Sequence, residues 1–247
     1  GVEVTVLPFK GRKNPLNYLK NWARLRDKLR REQYDLVHAQ FGQSGLLALP
    51  KRLPLVVTFR GSDLLGTVND KTGRHRKIGV LHQFLSRQVA ARADAVIVVA
   101  EHMKRHLPAS TDAHVIPSGL DLQFFRPTEK RIAREQLGLP QNERLVLFVG
   151  RPTHGRKRVH LAEQAMEILN RSLPARLVIA WRVPHTDIPL YMSACDALVF
   201  TSMQEGSPNV VKEALACNLP IVSVAVGDVE ERLKGVDGCE LCANDDP

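Results

Sequence analysis

Short apolar runs alternate with longer amphipathic runs along nearly the whole chain, and this alternation restricts the possible folds more than any other feature. Strands are predicted at residues 2–7, 36–39, 55–59, 95–99 and 114–116, and again at 145–149, 177–180, 197–200 and 221–224. Helices are predicted at residues 16–32, 45–49, 78–92, 160–169, 188–195 and 209–217. Such alternation is typical of parallel sheets covered by helices. Because it restarts after the proline-bounded segment 125–141, we predict an α/β protein with two sheets.

Length and composition agree with two globular domains. The chain has 247 residues, of which 44% are hydrophobic and 25% are charged, as in ordinary soluble proteins. Its longest apolar runs have strand length, well short of the roughly 20 residues that cross a bilayer, and no signal peptide pattern is visible. We predict domains at residues 1–122 and 123–247. The chain starts with Gly1 rather than Met, which favours a fragment of a longer protein.

The cysteines and histidines do not form a metal-binding pattern. Cys239 and Cys242 form a C-x2-C pair, but Cys195 and Cys217 stand alone, so the second pair of a zinc site is missing. The nine histidines lack H-E-x-x-H or similar spacing. We therefore predict reduced cysteines, a cytosolic location and no bound metal.

Positive charge is concentrated in the first half of the chain. Residues 1–125 contain 20 Lys and Arg against 10 Asp and Glu, a net charge of +10, whereas the remainder has a net charge of −1. The excess lies mainly in residues 10–31 and 71–77. The basic helix predicted at 16–32 either lies on an anionic membrane surface or is an ordinary solvated helix packed on a sheet. Nucleic acid is not a predicted partner, because no recognition motif accompanies the charge.

Residues suited to ligand binding follow several predicted strands, at the edge where open α/β sheets bind their ligands. After the strand at 55–59 come Arg60, Gly61 and Asp63, a loop that allows close backbone approach and offers a carboxylate to hydroxyl groups. After the strand at 145–149 comes the loop 150–158, with four cations and two glycines before a helix. This loop is either a phosphate site or a solvent-exposed basic turn.

A third loop follows the strand at 197–200 and leads into the predicted helix at 209–217. Glu205 lies in the turn and Glu213 about one helical turn inside, so both carboxylates can face one cleft with free N–H groups. Alternatively, Glu205 is an N-terminal helix acid and Glu213 a solvated surface residue. Carboxylates for hydroxyls and cations for phosphates, on one domain, suit a sugar nucleotide better than a free sugar or a free nucleotide.

These motifs together resemble a known enzyme family. The resemblance rests on Gly150-Arg151 with Lys157, on the linker 115–121, and on the Glu205-x7-Glu213 pair with Gly206. They are similar to the retaining glycosyltransferases of family 4. That family has the GT-B fold, with two Rossmann-like parallel-sheet domains facing across a cleft. Residues 184–192 and 205–223 resemble especially the branch that makes teichuronic acid and related surface polysaccharides.

The resemblance implies a function and a set of site residues. A nucleotide-sugar donor, expected to be a UDP-sugar, would bind the C-terminal domain without metal or other cofactor. Arg151 and Lys157 would contact the diphosphate, Glu205 the transferred sugar and Glu213 the ribose. The further donor-binding residues are Gly206, Ser207, Pro208, Asn209, Val210 and His185. The basic N-terminal domain, with Arg60, Gly61 and Asp63, would receive a glycan or lipid-linked acceptor, in the cytoplasm or at the inner face of the membrane.

The chain departs from the family pattern in three respects. Arg60 stands where the family commonly has His, and Gln40 stands where this branch often has a second His after His38. The family's first strand with its glycine-rich loop, and its C-terminal helices, are expected to be missing. These departures keep a non-catalytic sugar-nucleotide-binding or scaffold protein open as an alternative. Another GT-B enzyme, such as an epimerase or phosphorylase, is a third hypothesis.

Overall fold

The computed structural model describes residues 1–9, 11, 14–69 and 76–244. In this part of the chain the strands are β1 Val37–Ala39, β2 Leu55–Phe59, β3 Ala95–Val98, β4 Ala113–Val115, β5 Leu145–Val149, β6 Arg176–Ala180, β7 Ala197–Phe200, β8 Ile221–Val224 and β9 Glu240–Cys242. The α-helices are α1 Pro15–Arg31, α2 Gly42–Gly45, α3 Ser62–Leu65, α4 Lys77–Ala90, α5 Lys130–Leu137, α6 Val159–Leu169, α7 Ile188–Ala194, α8 Asn209–Ala216 and α9 Val229–Leu233.

The strands form two parallel sheets. The first has the order β1-β2-β3-β4 and the second the order β6-β5-β7-β8-β9, with every neighbouring pair parallel. The chain divides into an N-unit, Gly1–Thr67 with Lys77–Ile116, and a C-unit, Val68–Arg76 with Pro117–Pro247. The predicted α/β class with two parallel sheets is confirmed. The domain boundary after residue 122 stays a prediction.

Each unit has its own hydrophobic core around its sheet. In the N-unit, Leu55, Val57 and Phe59 of β2 are fully buried, and in the C-unit the same holds for Leu145 and Leu147 of β5. Parallel strands are covered by helices on both faces, so buried strands read as continuous apolar runs. This is why the runs at 55–59 and 145–149 predicted their strands correctly to the residue.

The strand predicted at residues 2–7 is not formed. These residues have no regular secondary structure, and Val2, Val4 and Val6 are 91%, 73% and 76% exposed. A strand exists only when a neighbour takes up its backbone N–H and C=O groups. Alternating valines indicate the tendency to form a strand, but they do not supply that neighbour.

Several short elements differ from the predictions. The helix predicted at 45–49 is instead α2 followed by a single 3₁₀ turn, Leu46–Ala48. The sequence did not predict α3, α5, α9 and β9, which have only three to eight residues each. Elements this short contain too few residues to show a period. Parts of the basic segments 10–31 and 71–77 lie outside the described residues. Among the described helices, none is both long and apolar enough to cross a bilayer.

Candidate functional site

The order of strands in the second sheet points to two loops. The chain passes from β5 to β6 on one side and then returns to β7 on the other side of β5. Ligands of open α/β sheets bind beyond the carboxyl ends of the strands at such a switch point. The loops that leave β5 and β7 here contain residues 150–158 and 201–208, which are the loops singled out by the sequence.

The two loops are joined by a semi-buried ion pair. Lys157 Nζ donates to Glu205 Oε1 at 2.9 Å, and their side chains are only 21% and 14% exposed. The same ammonium lies 5.1 Å from the centre of the Phe200 ring. Thr201 Oγ1 donates to the carbonyl of Lys157 at 2.7 Å, and Arg158 Nε donates to the carbonyl of Thr201 at 2.6 Å. These bonds hold the cation and the carboxylate in one place.

Arg151 lies near the end of β6. Its Nε donates to Thr153 Oγ1 at 2.7 Å, and its guanidinium lies 5.8 Å from the centre of the Trp181 ring. Trp181 directly follows β6 and also contacts the Arg182 guanidinium, at 5.1 Å. The structure therefore places Arg151 on the β6 side of the loop, whereas Lys157 contacts the loop after β7.

Glu213 lies on α8, which begins at Asn209 after Pro208. Burial raises the pKa of the Glu213 carboxyl, and the positive charges of His185, Lys212 and Lys157 act in the opposite direction. The His185 ring is stacked on Phe124, with 5.6 Å between ring centres and 13° between planes. Lys157 thus contacts Glu205 directly and its charge also acts on Glu213, while a common cleft for the two carboxylates stays a prediction.

The turn between β7 and α8 is held by a loop that the sequence reasoning missed. Gly227, after β8, has a φ of +64°, and a Cβ added to it would lie 2.7 Å from the Gly206 carbonyl oxygen. The next residue, Asp228, is 3% exposed and accepts from Arg232 Nε at 2.8 Å. A glycine and an acid within four residues after a strand were the available signal, since Gly61 and Asp63 also follow β2 within four residues.

Two serine hydroxyls near this turn are buried without a hydrogen-bond partner among the described residues. They are Ser202 Oγ and Ser207 Oγ. Buried polar atoms in native proteins are nearly always paired with protein, water or a ligand. The loop after β7 therefore offers hydrogen-bonding capacity to a polar molecule at this position.

Asp63 in the N-unit points inward. It is fully buried and accepts backbone N–H groups of Gly42 at 2.9 Å, Gly61 at 2.9 Å and Arg60 at 3.2 Å. Burial raises the pKa of its carboxyl, whereas these donors act to lower it. Asp63 therefore holds the loop after β2 against the start of α2, and its oxygens face backbone rather than a ligand.

The two residues that depart from the family pattern contact each other. The Arg60 guanidinium donates to Gln40 Oε1, and the Gln40 amide lies 3.1 Å from His38 Nε2. That ring nitrogen is 2.8 Å from Thr58 Oγ1. Burial, with the Arg60 charge, lowers the pKa of His38. Gln40 and Arg60 are thus in contact in the N-unit, which spacing along the sequence did not show.

No group of three or more His, Cys, Asp or Glu side chains that could hold a metal ion occurs in the part of the chain that the structure describes. Metal independence stays a prediction.

Comparison with known proteins identifies the family. Residues 1–124, about half of the chain, match the profile described as Glycosyltransferase Family 4. The chain belongs to glycosyltransferase family 4. Residues 180–247 match a second profile, described as Glycosyl transferases group 1. The family predicted from the Arg151, Lys157, Glu205 and Glu213 motifs is confirmed.

Curated relatives are similar over most of this chain. It is 29% identical over 232 residues to the teichuronic acid biosynthesis glycosyltransferase TuaC of Bacillus subtilis, covering 84% of this chain and 57% of TuaC. It is 30% identical over 245 residues to the D-inositol 3-phosphate glycosyltransferase of Mycobacterium tuberculosis, covering 83% and 50% of the two chains. The chain thus spans about half the length of these relatives.

Solved structures share the fold. Sucrose-phosphate synthase from Thermosynechococcus elongatus matches with a TM-score of 0.77 at 22% identity, over 96% of this chain and 67% of that one. HepE of Anabaena, in complex with UDP-glucose, matches with a TM-score of 0.67 at 19% identity, over 93% and 69%. The predicted GT-B fold class is confirmed by these neighbours.

Proposed function

We propose that the protein to which this chain belongs is a retaining glycosyltransferase. It takes a sugar from a nucleotide-diphosphate donor, most simply a UDP-sugar, and transfers it to a glycan or lipid-linked acceptor in cell-surface polysaccharide synthesis. One observation carries this proposal, namely the Lys157–Glu205 ion pair of 2.9 Å between the loops at the switch point. It puts a cation suited to phosphate beside a carboxylate suited to sugar hydroxyls.

The chemistry needs fixed positive charge at the diphosphate. Cleavage of the sugar–phosphate bond builds negative charge on the leaving diphosphate, so a preorganised cation stabilises the transition state more than the ground state. Lys157 fits this role because hydrogen bonds of Thr201 fix its backbone. Loss of one such contact typically lowers the rate by about 10² to 10³. In our proposal Lys157 and Arg151 act without a metal ion.

The remaining donor contacts come from the turn and from α8. Glu213 accepts the ribose hydroxyls, and Glu205 with the backbone of 206–209 binds the transferred sugar. The buried Ser202 and Ser207 hydroxyls have capacity for further hydrogen bonds to it. Because Lys157 is bonded to Glu205, a diphosphate that enters must compete with that carboxylate for the ammonium.

The names of related proteins support the substrate class. TuaC is named for teichuronic acid biosynthesis, and the HepE structure holds UDP-glucose. The first name fits a surface polysaccharide product, and the second fits a nucleotide-sugar donor. The basic N-terminal half, with 20 Lys and Arg against 10 Asp and Glu in residues 1–125, supports an anionic acceptor or membrane surface on the cytoplasmic side.

Calorimetric titration with UDP and a panel of nucleotide sugars tests the donor site. Arg151→Ala and Glu213→Ala should each weaken binding about tenfold or more, because each removes a charged hydrogen-bonding group. Glu167→Ala is the matched control, since Glu167 is exposed on α6 and should bind as the wild type does. Equal affinities for all four proteins would exclude this site.

The Gln40–Arg60 contact favours one alternative, a protein that binds sugar nucleotides without transferring the sugar. Arg60 stays charged and cannot serve as a neutral acceptor or base, as a histidine can. The double variant Gln40→His with Arg60→His restores the family pattern. If it gains no transferase activity in the full protein while it still binds UDP, the non-catalytic function is favoured. A clear gain in transfer, or transfer by the wild type itself, would exclude it.

A further inference from the structure

An apolar groove lies between α1 and α4 on the N-unit. Its volume is about 610 Å³, and its walls include Leu19, Trp22, Leu47, Ile78 and Leu81. Contiguous apolar surface of this kind on a soluble domain usually marks a site for a partner, a ligand or a membrane. None of the donor-site residues lies here, so the groove is a separate feature.

Apolar side chains that line the groove, such as Leu19 and Leu81, face solvent, and so does Phe84, which follows on α4 outside the lining. Leu19 of α1 is 62% exposed, and Leu81 and Phe84 of α4 are 49% and 57% exposed. Ile78, Leu81 and Phe84 recur every three residues, which places them on one face of α4. These side chains therefore form a surface outside the core around β2.

Positive charge surrounds this apolar surface. The helices α1 and α4 contain eight Lys and Arg against a single acidic residue, Asp27, and Lys20 and Arg24, one and five positions after Leu19, are exposed. Helices with a basic face and a Leu, Phe and Trp face lie in the interface of anionic membranes. A second copy of this chain would bring the same cations together, which opposes self-association through the groove.

The floor of the groove contains a polar group that is ready for a ligand. Gln43 lines the groove and is only 6% exposed. Neither its amide nitrogen nor its amide oxygen has a hydrogen-bond partner among the described residues. Since a buried unpaired amide is unfavourable, this position suits a molecule that brings polar atoms next to hydrocarbon, as the ester region of a phospholipid does.

We propose that the α1–α4 groove docks the protein on an anionic phospholipid bilayer. Leu19, Leu81 and Phe84 enter the acyl region, and the cations of α1 lie at the headgroups. This inference rests on the proposed function in one respect. If the acceptor is lipid-linked, the groove is the surface through which the enzyme reaches that acceptor in the membrane.

Co-sedimentation with vesicles tests the proposal without nucleotide or acceptor. Wild-type protein should bind phosphatidylglycerol/phosphatidylcholine vesicles and bind pure phosphatidylcholine vesicles much more weakly. The double variant Leu19→Ser with Leu81→Ser should bind the mixed vesicles about tenfold less, because two apolar side chains no longer enter the bilayer. Ile168→Ser is the control, since Ile168 is 45% exposed on α6 of the C-unit, and it should bind as the wild type does.

Three results would overturn the proposal. They are no binding of the wild type to anionic vesicles, equal binding by the double variant, or a dimer in light scattering that the double variant abolishes. Equal binding would leave the cations alone as the cause, and a dimer would make the groove a self-interface. Far-ultraviolet circular dichroism checks that the double variant is folded. Because UDP titration is measured separately, failure of the donor site and failure of the membrane site are distinguishable.

Discussion

The ion pair at the switch point makes an unusual prediction, namely that neutralising its two members changes UDP affinity in opposite directions. Lys157 Nζ is bonded to Glu205 Oε1 at 2.9 Å. If Lys157 is a diphosphate ligand, Glu205 competes with UDP for it. Lys157→Met should therefore weaken UDP binding, whereas Glu205→Gln should leave it unchanged or strengthen it.

The magnitudes follow from the type of contact. A hydrogen bond to a charged group contributes about 1.5–3 kcal/mol, so Lys157→Met should raise the Kd for UDP about 10- to 150-fold. Met keeps most of the length of the side chain but removes the ammonium that lies 5.1 Å from the Phe200 ring centre. Glu205→Gln removes the charge that competes with UDP for Lys157. The side chains of Lys157 and Glu205 are 21% and 14% exposed, and we expect the Kd for UDP to be unchanged or up to about tenfold lower. The double variant should resemble Lys157→Met.

Calorimetric titration with UDP at one fixed ionic strength measures these values, because salt screens the phosphate contacts. The surface pair Lys130–Asp196, 2.7 Å apart and 50% and 37% exposed, supplies the control, and Lys130→Met should bind UDP as the wild type does. The reasoning is refuted if Glu205→Gln weakens UDP binding as much as Lys157→Met. In that case the pair is a structural bridge between loops, and Lys157 does not bind phosphate.

Three further predictions concern Gly227 and Glu213 of the C-unit and Asp63 of the N-unit. Gly227→Ala should destabilise the protein in urea by about 2 kcal/mol or more and weaken UDP binding, because its Cβ would lie 2.7 Å from the Gly206 oxygen. Gly235→Ala, at φ +73° with nothing within 4 Å, should cost about 1 kcal/mol and leave UDP binding unchanged. Asp63→Ala should lower the free energy of unfolding by about 3 kcal/mol, since it leaves buried N–H groups unpaired. Asp63→Asn should cost less, and equal losses would contradict this account. Burial raises the pKa of the Glu213 carboxyl, so the carboxylate is protonated as pH falls through that raised pKa. The loss of UDP affinity on acidification should therefore begin at a higher pH than it would for an exposed carboxyl. Glu213→Gln should remove that component, and identical pH profiles would exclude it.

The sequence predicted the fold well because the main signal is local. Buried parallel strands are apolar throughout, so the runs at 55–59, 145–149, 197–200 and 221–224 predicted strands with correct bounds. The carboxyl ends of parallel strands share an edge, so the loops after them could be named as the candidate site before any side chain was placed. A strand also needs a neighbouring strand for its backbone hydrogen bonds, which the local pattern does not show. For this reason the strand predicted at residues 2–7 was wrong.

The contacts within the site could not be predicted, because they join residues far apart in sequence. Gly227 was missed, since its importance depends on how closely another loop approaches it. Asp63 was expected to face a ligand, but backbone donors from two loops surround it. In the sequence Gln40 and Arg60 are separate positions, but in the fold they are in contact across 20 positions.

By itself, the sequence determined the α/β class, the family, and the loops that carry Lys157, Glu205 and Glu213. Apolar periodicity and motif spacing are properties of neighbouring residues and can be read along the chain. Only the tertiary structure decided that Lys157 bonds to Glu205 across 48 positions, and that α1 and α4 leave an apolar groove between them. Burial and charge pairing depend on which distant elements pack together, and that arrangement exists only in the folded chain.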